Sequence, residues 1–154
     1  MDTDARMIDE FLSRCRRAGM KLTPQRLEIF REILNSRDHP TVDEIFAGVR
    51  LRMPGLSRDT VYRTLWMLRD MSLIGTVGYP YRSVHFDGNP RKHDHFLCTR
   101  CGEIVDLENP VAIDPPAATK QLGRIESTYV EYRGLCRRCL SEHGDRIPKK
   151  EEHT

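Results

Sequence analysis

Ser57-Arg58-Asp59-Thr60-Val61-Tyr62-Arg63-Thr64-Leu65-Trp66-Met67-Leu68-Arg69-Asp70 is the stretch on which the fold turns. Ser57 is a strong N-cap, and Val61, Leu65 and Leu68 recur at helical spacing, so they form the inward stripe of a helix. A step of about 100° per residue then places Asp59, Arg63, Trp66 and Asp70 outward, with Tyr62 at the edge. A capped helix showing arginine and tyrosine on its outer side suits insertion into a DNA major groove. There Arg63 can fork onto guanine and Tyr62 can touch a thymine methyl. An ordinary solvated face has the same pattern, and the helix alone does not separate the two readings.

Working toward the N-terminus, three more helices precede it. Ile8, Phe11, Leu12 and Cys15 fall at i, i+3, i+4 and i+7, predicting an amphipathic helix that ends near Gly19 with Arg14, Arg16 and Arg17 mostly outward. Cys15 lies on the apolar stripe and reads as a small buried hydrophobe. Thr23-Pro24 supplies an N-cap and a first helical residue with preset φ, and Leu27, Phe30, Ile33 and Leu34 continue that helix's core face. His39-Pro40 breaks the chain. Thr41-Val42-Asp43-Glu44 is a capping box, and Val42, Ile45, Phe46 and Val49 form a third stripe. Met53-Pro54-Gly55 is the next turn.

Working toward the C-terminus, Leu73 to Val77, the turn Gly78-Tyr79-Pro80, and Arg82 to Phe86 predict a hairpin, which beside a helix-turn-helix acts as a wing. Beyond it the chemistry changes. Cys98-Thr99-Arg100-Cys101 and Cys136-Arg137-Arg138-Cys139 hold four of the chain's five cysteines. Paired Cys-x-x-Cys spacing predicts a closed tetrahedral zinc site, structural because four sulfurs leave no open position. Disulfides or buried thiols are the alternative. The interval from 102 to 135 exceeds that of a compact zinc ribbon, so the site is expected to clip the end of a small subdomain to its beginning.

His93 and His95 stand two apart in a segment leading into Cys98, so in an extended strand they share one face and Cys98 takes the other. Histidines and thiolates then serve separate sites. If Cys98 to Cys101 turns back on itself, antiparallel pairing brings Asp106 near His93 and Asp94 as a further donor. Asp87, just before Gly88-Asn89-Pro90, can reach the same face, and His39 lies in the first lobe. Imidazole and carboxylate without thiolate suit divalent iron, manganese or zinc.

The chain has 154 residues and a formal net charge of +2, which fits one compact unit or two small lobes. The cysteine positions favour two lobes. Residues 1–83 carry 14 Lys+Arg against 11 Asp+Glu, a weak basic bias. The N-terminus lacks a basic leader before an apolar run, and no stretch of roughly 18 apolar residues occurs, so a soluble, cytoplasmic protein away from membranes is expected. Reduced thiols in that compartment also favour metal over disulfide.

Lys21-Leu22-Thr23-Pro24-Gln25-Arg26, His39-Pro40-Thr41, Thr60-Val61-Tyr62-Arg63 and His93-Asp94-His95-Phe96-Leu97-Cys98, followed by Cys101-Gly102, resemble the ferric uptake regulator (Fur) family, in the family's order over roughly residues 8–140. The resemblance implies an α+β fold. A winged helix-turn-helix DNA-binding domain at 1–86, with a hinge about 84–91, precedes a small α/β dimerisation and metal-binding domain at 92–143 and a disordered tail at 144–154. It implies a cytoplasmic, homodimeric, metal-dependent transcription factor on double-stranded operator DNA. Cys98, Cys101, Cys136 and Cys139 would hold structural zinc, and His39, Asp87, His93, His95 and Asp106 a regulatory iron or manganese. Lys21 would enter the minor groove, and Tyr62 and Arg63 would contact bases.

Asp at 87 and 106 resembles the peroxide-sensing repressor (PerR) branch, whereas iron-sensing relatives more often carry Glu. A further metal site of iron-sensing members uses histidines where this chain has Lys92 and Thr128, so that site is not expected. Asp114-Pro115-Pro116 departs from the pattern where the family usually begins a helix, and the interval between the cysteine pairs is slightly short. The branch implies repression released when peroxide, reacting at bound iron, oxidises a ligating histidine, with His39 and His93 the candidates. The alternative is an iron- or zinc-responsive uptake regulator without oxidative sensing. A non-haem iron enzyme is a third reading, against which stands the lack of any substrate-pocket motif or cofactor fingerprint. His85 is left unassigned.

Overall fold

The computed structural model describes residues 3–36, 38–78, 83–89, 91–125 and 128–143. The predicted tail at 144–154 lies outside the described residues, as do the turn positions 79–82 and Pro90 of the hinge. The chain divides into two units, Met1–Arg91 and Lys92–Thr154. Among the described residues no helix is long and apolar enough to cross a membrane.

The first unit is a winged helix. Its helices are α1 (Thr3–Arg17), α2 (Pro24–Asn35), α3 (Val42–Arg50) and α4 (Arg58–Asp70), followed by strands β1 (Gly75–Val77) and β2 (His85–Asp87). Helix α1 stops where expected. Gly19 takes φ +63°, and the Gly19 and Met20 N–H groups donate to the Arg16 and Cys15 carbonyls at 3.1 and 2.9 Å, closing the last turn. The Thr23 hydroxyl accepts from Arg26 N at 3.3 Å with Pro24 in the first turn, and the Ser57 hydroxyl caps α4 through Thr60 N at 3.1 Å. At α3 both halves of the capping box form: the Thr41 hydroxyl accepts from Glu44 N at 3.3 Å, and the Glu44 carboxylate accepts from Thr41 N at 2.7 Å.

These bonds, the backbone N–H of Thr41 foremost, favour the carboxylate and hold the Glu44 pKa below its ordinary value. The stabilisation is therefore present above the unfolded pKa, about 4.3, and is lost as pH falls through the lower folded value. Glu44→Gln is expected to lower Tm by a few degrees at pH 7, with the gap to the parent closing below about pH 4 in thermal melts.

The core of this unit is built from Phe11, Ile29, Phe30, Ile33, Ile45, Val49, Val61, Leu65, Leu68 and Phe86, all fully buried, with the Phe11 and Phe30 rings 4.8 Å apart. Met7 joins Phe11 and Cys15 on the buried side of α1, while Ile8 and Leu12 are half-buried, so the stripe is rotated slightly from the predicted one. Burial pushes the Cys15 thiol up, as a core role requires. Trp66, predicted outward, is half-buried. Phe86 of β2 meets its ring edge-on at 6.1 Å, and the Arg69 guanidinium covers it at 4.5 Å. The first wing strand begins at Gly75, because Leu73 and Ile74 are spent in the core as the chain leaves α4. It pairs antiparallel with β2 in the register Gly75↔Asp87 to Val77↔His85.

The second unit contains β3 (Asp94–Cys98), β4 (Ile104–Leu107), a 3-10 turn (Ala117–Gln121), β5 (Glu131–Gly134) and α5 (Arg137–His143). The sheet order is β4-β3-β5, with β4 antiparallel and β5 parallel to β3. Only a short 3-10 turn follows Asp114-Pro115-Pro116, since proline removes backbone donors and disfavours helix in the residue before it.

Candidate metal centres

The first centre is built by a knuckle. β3 ends at Cys98, whose N–H donates to the Glu103 carbonyl at 2.8 Å, and Gly102, at φ +79°, closes the turn with its N–H on the Cys98 carbonyl at 3.0 Å. Only a residue without Cβ adopts that conformation at little cost. β5 runs parallel beside β3 and delivers Cys136 and Cys139 on the start of α5. The four sulfurs all lie within 4.8 Å of one another, and Cys101 and Cys136 Sγ are 3.7 Å apart. Zinc–sulfur bonds of about 2.3 Å give a tetrahedral edge of about 3.8 Å, so the spacing fits zinc. The Cys98 thiol is opposed by burial, yet the N–H groups of Cys101, Cys136 and Arg100 outweigh it and lower its pKa to about 6. Cys139 is pushed up to about 12, first by burial and then by hydrogen bonds to the neighbouring sulfurs. One thiolate is thus held by backbone donors, and collecting more beside it calls for a cation. The described cysteines form no disulfide.

The second set of donors is divided between the units. In the second unit, His93 and His95 are on one face, with their Nε2 atoms 2.9 Å apart. Asp106 Oδ1 lies 3.4 Å from His93 Nε2 and 3.6 Å from His95 Nε2. Bonds of about 2.0–2.2 Å to an octahedral or tetrahedral ion require donor separations of about 2.9–3.5 Å, so these three atoms suit one face of a coordination shell. Asp106 stands opposite His95, and Leu107 opposite Asp94. Asp106 thus lies near His93, as the antiparallel turn predicts, while its direct cross-strand partner is His95. The four-residue turn 99–102 sets the register, and a one-residue slip would have put Asp106 on the other face. The intervening Asp94 is buried and accepts from Val111 N at 2.8 Å, tying down the segment after β4.

In the first unit, His39 Nε2 and Asp87 Oδ1 are 4.0 Å apart, both residues buried. The local fold explains their meeting. His39 takes φ +48°, and the chain after it runs beside β2: Phe86 N donates to the Pro40 carbonyl at 2.9 Å, and Thr41 bridges to His85. His85, unassigned from sequence, holds this bend, with Nδ1 2.6 Å from the His39 carbonyl. A carbonyl only accepts, so His85 Nδ1 carries the proton. Asp87 Oδ1 also accepts from Asn89 N at 2.8 Å, and a Cβ on Gly88 would come within 2.9 Å of Ile33 Cγ2, so glycine lets the loop pass close over α2.

On α4, Arg63 is 77% and Tyr62 44% exposed. Lys21 is exposed ahead of α2, and its carbonyl accepts from the Arg26 guanidinium at 2.6 Å.

Capped helices with a two-stranded wing, followed by a strand unit holding four sulfurs and an imidazole–carboxylate cluster, define a winged-helix metalloprotein. The model of the ferric uptake regulator family matches residues 17–129. The peroxide-responsive repressor PerR of Staphylococcus epidermidis is 31% identical over 137 residues, 88% of this chain and 91% of that protein. Among solved structures, the Helicobacter pylori ferric uptake regulator Fur, described as having three functional metal binding sites, superposes with a TM-score of 0.71 at 21% identity, over 90% of this chain and 95% of that one. A zinc uptake regulator complexed with zinc and DNA gives 0.61 at 19% identity, over 92% and 98%. This chain belongs to the ferric uptake regulator family.

Proposed function

We propose that the protein is a metal-dependent, DNA-binding transcriptional repressor that senses peroxide. A single regulatory ion would take donors from both units: His39 and Asp87 from the first, His93, His95 and Asp106 from the second. The observation that carries this reading is that each unit presents its own pre-arranged, largely buried donors. Only residues 88–92 separate Asp87 from His93, a span of at most about 20 Å. Three imidazoles and two carboxylates without thiolate suit iron or manganese. The named relative supplies the peroxide reading, and the zinc uptake regulator with DNA supplies the partner.

Lys21 would anchor in the minor groove while Tyr62 and Arg63 read bases. A homodimer would present two such helices at half-site spacing. Exposed Val105, Leu107, Val111, Ile113, Leu122 and Ile125 give the second unit apolar surface suited to a second copy. Donors drawn from both units make the binding-competent geometry depend on the ion, and an equilibrium coupling of about 1–3 kcal/mol changes operator affinity 5- to 150-fold.

Ferrous iron held by these five donors would activate peroxide, the net reaction giving one oxygen atom to a histidine ring and releasing the other as water. The chain would supply the histidine rings at the point of reaction, with His39 and His93 the candidates to gain oxygen and cease to be donors. The event is stoichiometric, which makes the protein a regulator rather than a catalyst.

Peptide mapping after ferrous loading and brief peroxide treatment is expected to find one added oxygen atom on His39 or His93, together with lost operator binding. The manganese-loaded protein should stay unmodified. Unmodified histidines with DNA binding retained would reject peroxide sensing in favour of a metal-uptake regulator.

A further inference from the structure

Every arginine of α4 already holds a carboxylate. Arg58 forks onto both oxygens of Asp43 on α3, at 2.5 and 3.1 Å. Arg63 places Nε and a terminal nitrogen on Asp59 Oδ2 at 2.8 and 2.6 Å, and Arg69 does the same to Asp70 at 3.1 and 2.8 Å. The Arg58 pair is 59% and 69% exposed, and the Arg63 pair 77% and 64%. The DNA-reading helix is therefore locally neutral, although it carries three arginines.

We propose that Asp59 and Asp43 are specificity-determining residues, covering the donor faces of Arg63 and Arg58 so that random-sequence DNA gains little from them. This rests on the DNA-reading assignment of α4. Non-specific affinity comes from cations that neutralise phosphates and release counterions. A guanidinium bonded to a carboxylate brings no net charge to that exchange, and the exposed carboxylate meets the phosphate as a like charge. A correctly placed guanine offers O6 and N7 together, a fork that matches the guanidinium and makes up for the carboxylate it displaces. Wrong sequences offer no such compensation, so the aspartates penalise them selectively.

The test uses the full-length, manganese-loaded protein and two duplexes. One is the sequence that the parent enriches from a random pool, the other a scrambled duplex of equal length and composition. Anisotropy is followed across salt. Asp59→Asn and Asp43→Asn are each expected to raise affinity for the scrambled duplex about three- to tenfold. Each should steepen its salt dependence by about one counterion per engaged helix, roughly an extra 3.5-fold loss between 50 and 200 mM for each. Affinity for the enriched sequence should change by less, so that discrimination falls. Asp59→Glu, which keeps the charge within reach of Arg63, should retain the parent's discrimination.

Unchanged scrambled-duplex affinity in both asparagine variants, folded by circular dichroism, would overturn the proposal. So would a parallel loss on both duplexes, which would make the aspartates mere supports of the helix. A parent that enriches no sequence at all would instead refute the DNA-reading assignment.

Discussion

Cys136→Ser is expected to abolish zinc binding and unfold the second unit. Among the described residues of that unit, the buried apolar side chains are Leu97, Cys98 and Cys139, and two of these are the proposed zinc donors. A sheet of three short strands with so little apolar burial cannot offset the conformational entropy of ordering its residues, about 1–2 kcal/mol each for the backbone alone. Structural zinc is worth an apparent 10–16 kcal/mol at neutral pH in small domains, and removing one of four sulfurs forfeits much of it. Elemental analysis should find zinc lost, and amide spectra should show signals from residues 92–143 collapsing to unfolded shifts. The first unit, with its own core around Phe11, Phe30 and Phe86, should keep its dispersion. Cys15→Ala is the control: its sulfur lies in that separate core, so zinc content should not change. A second unit that stays folded without zinc would mean that its stability has another source.

His39→Ala, His95→Ala and Asp106→Ala should each weaken manganese binding by about 100-fold or more and cut manganese-dependent operator affinity with it. Losing even an outer-shell partner of a metal ligand commonly costs 10- to 100-fold, and a direct donor should cost at least that. His85→Ala tests the outer layer separately. Its Nδ1–H holds the His39 carbonyl in a bend that a non-glycine residue adopts only under strain. A loss of about 10-fold is expected there, smaller than at His39 itself. Metal titration on the four variants, followed by operator binding with and without manganese, checks the order.

Much of the first unit was legible because its signals are local. Thr23-Pro24, Thr41 with Glu44, and Ser57 each satisfy helix-end donors within three residues, and Val61, Leu65 and Leu68 repeat at helical spacing regardless of what packs on them. The half-buried state of Trp66 depends on Phe86, twenty residues later and on another element. The bend at His39 depends on His85, and the partner of Asp106 depends on how many residues the knuckle consumes. Those are long-range facts that periodicity does not carry. The cysteine pairs were legible as chemistry, since four thiols at that spacing serve few other purposes. How few apolar side chains the second unit buries besides them became visible only with the fold. Nor did the sequence reveal that Arg58 is already paired, because its partner Asp43 comes from α3.

The proposed switch requires one regulatory ion that takes donors from both units. The most direct test is the manganese affinity of zinc-loaded, full-length His39→Ala, measured by calorimetry or electron spin resonance beside the parent. One equivalent bound by the parent, and about 100-fold weaker binding by the variant, is the expected result. Parent-like affinity in His39→Ala, and equally in His39→Ala combined with Asp87→Ala, would mean that the ion relies on His93, His95 and Asp106 alone, and the proposed link between metal and DNA-reading geometry would be wrong.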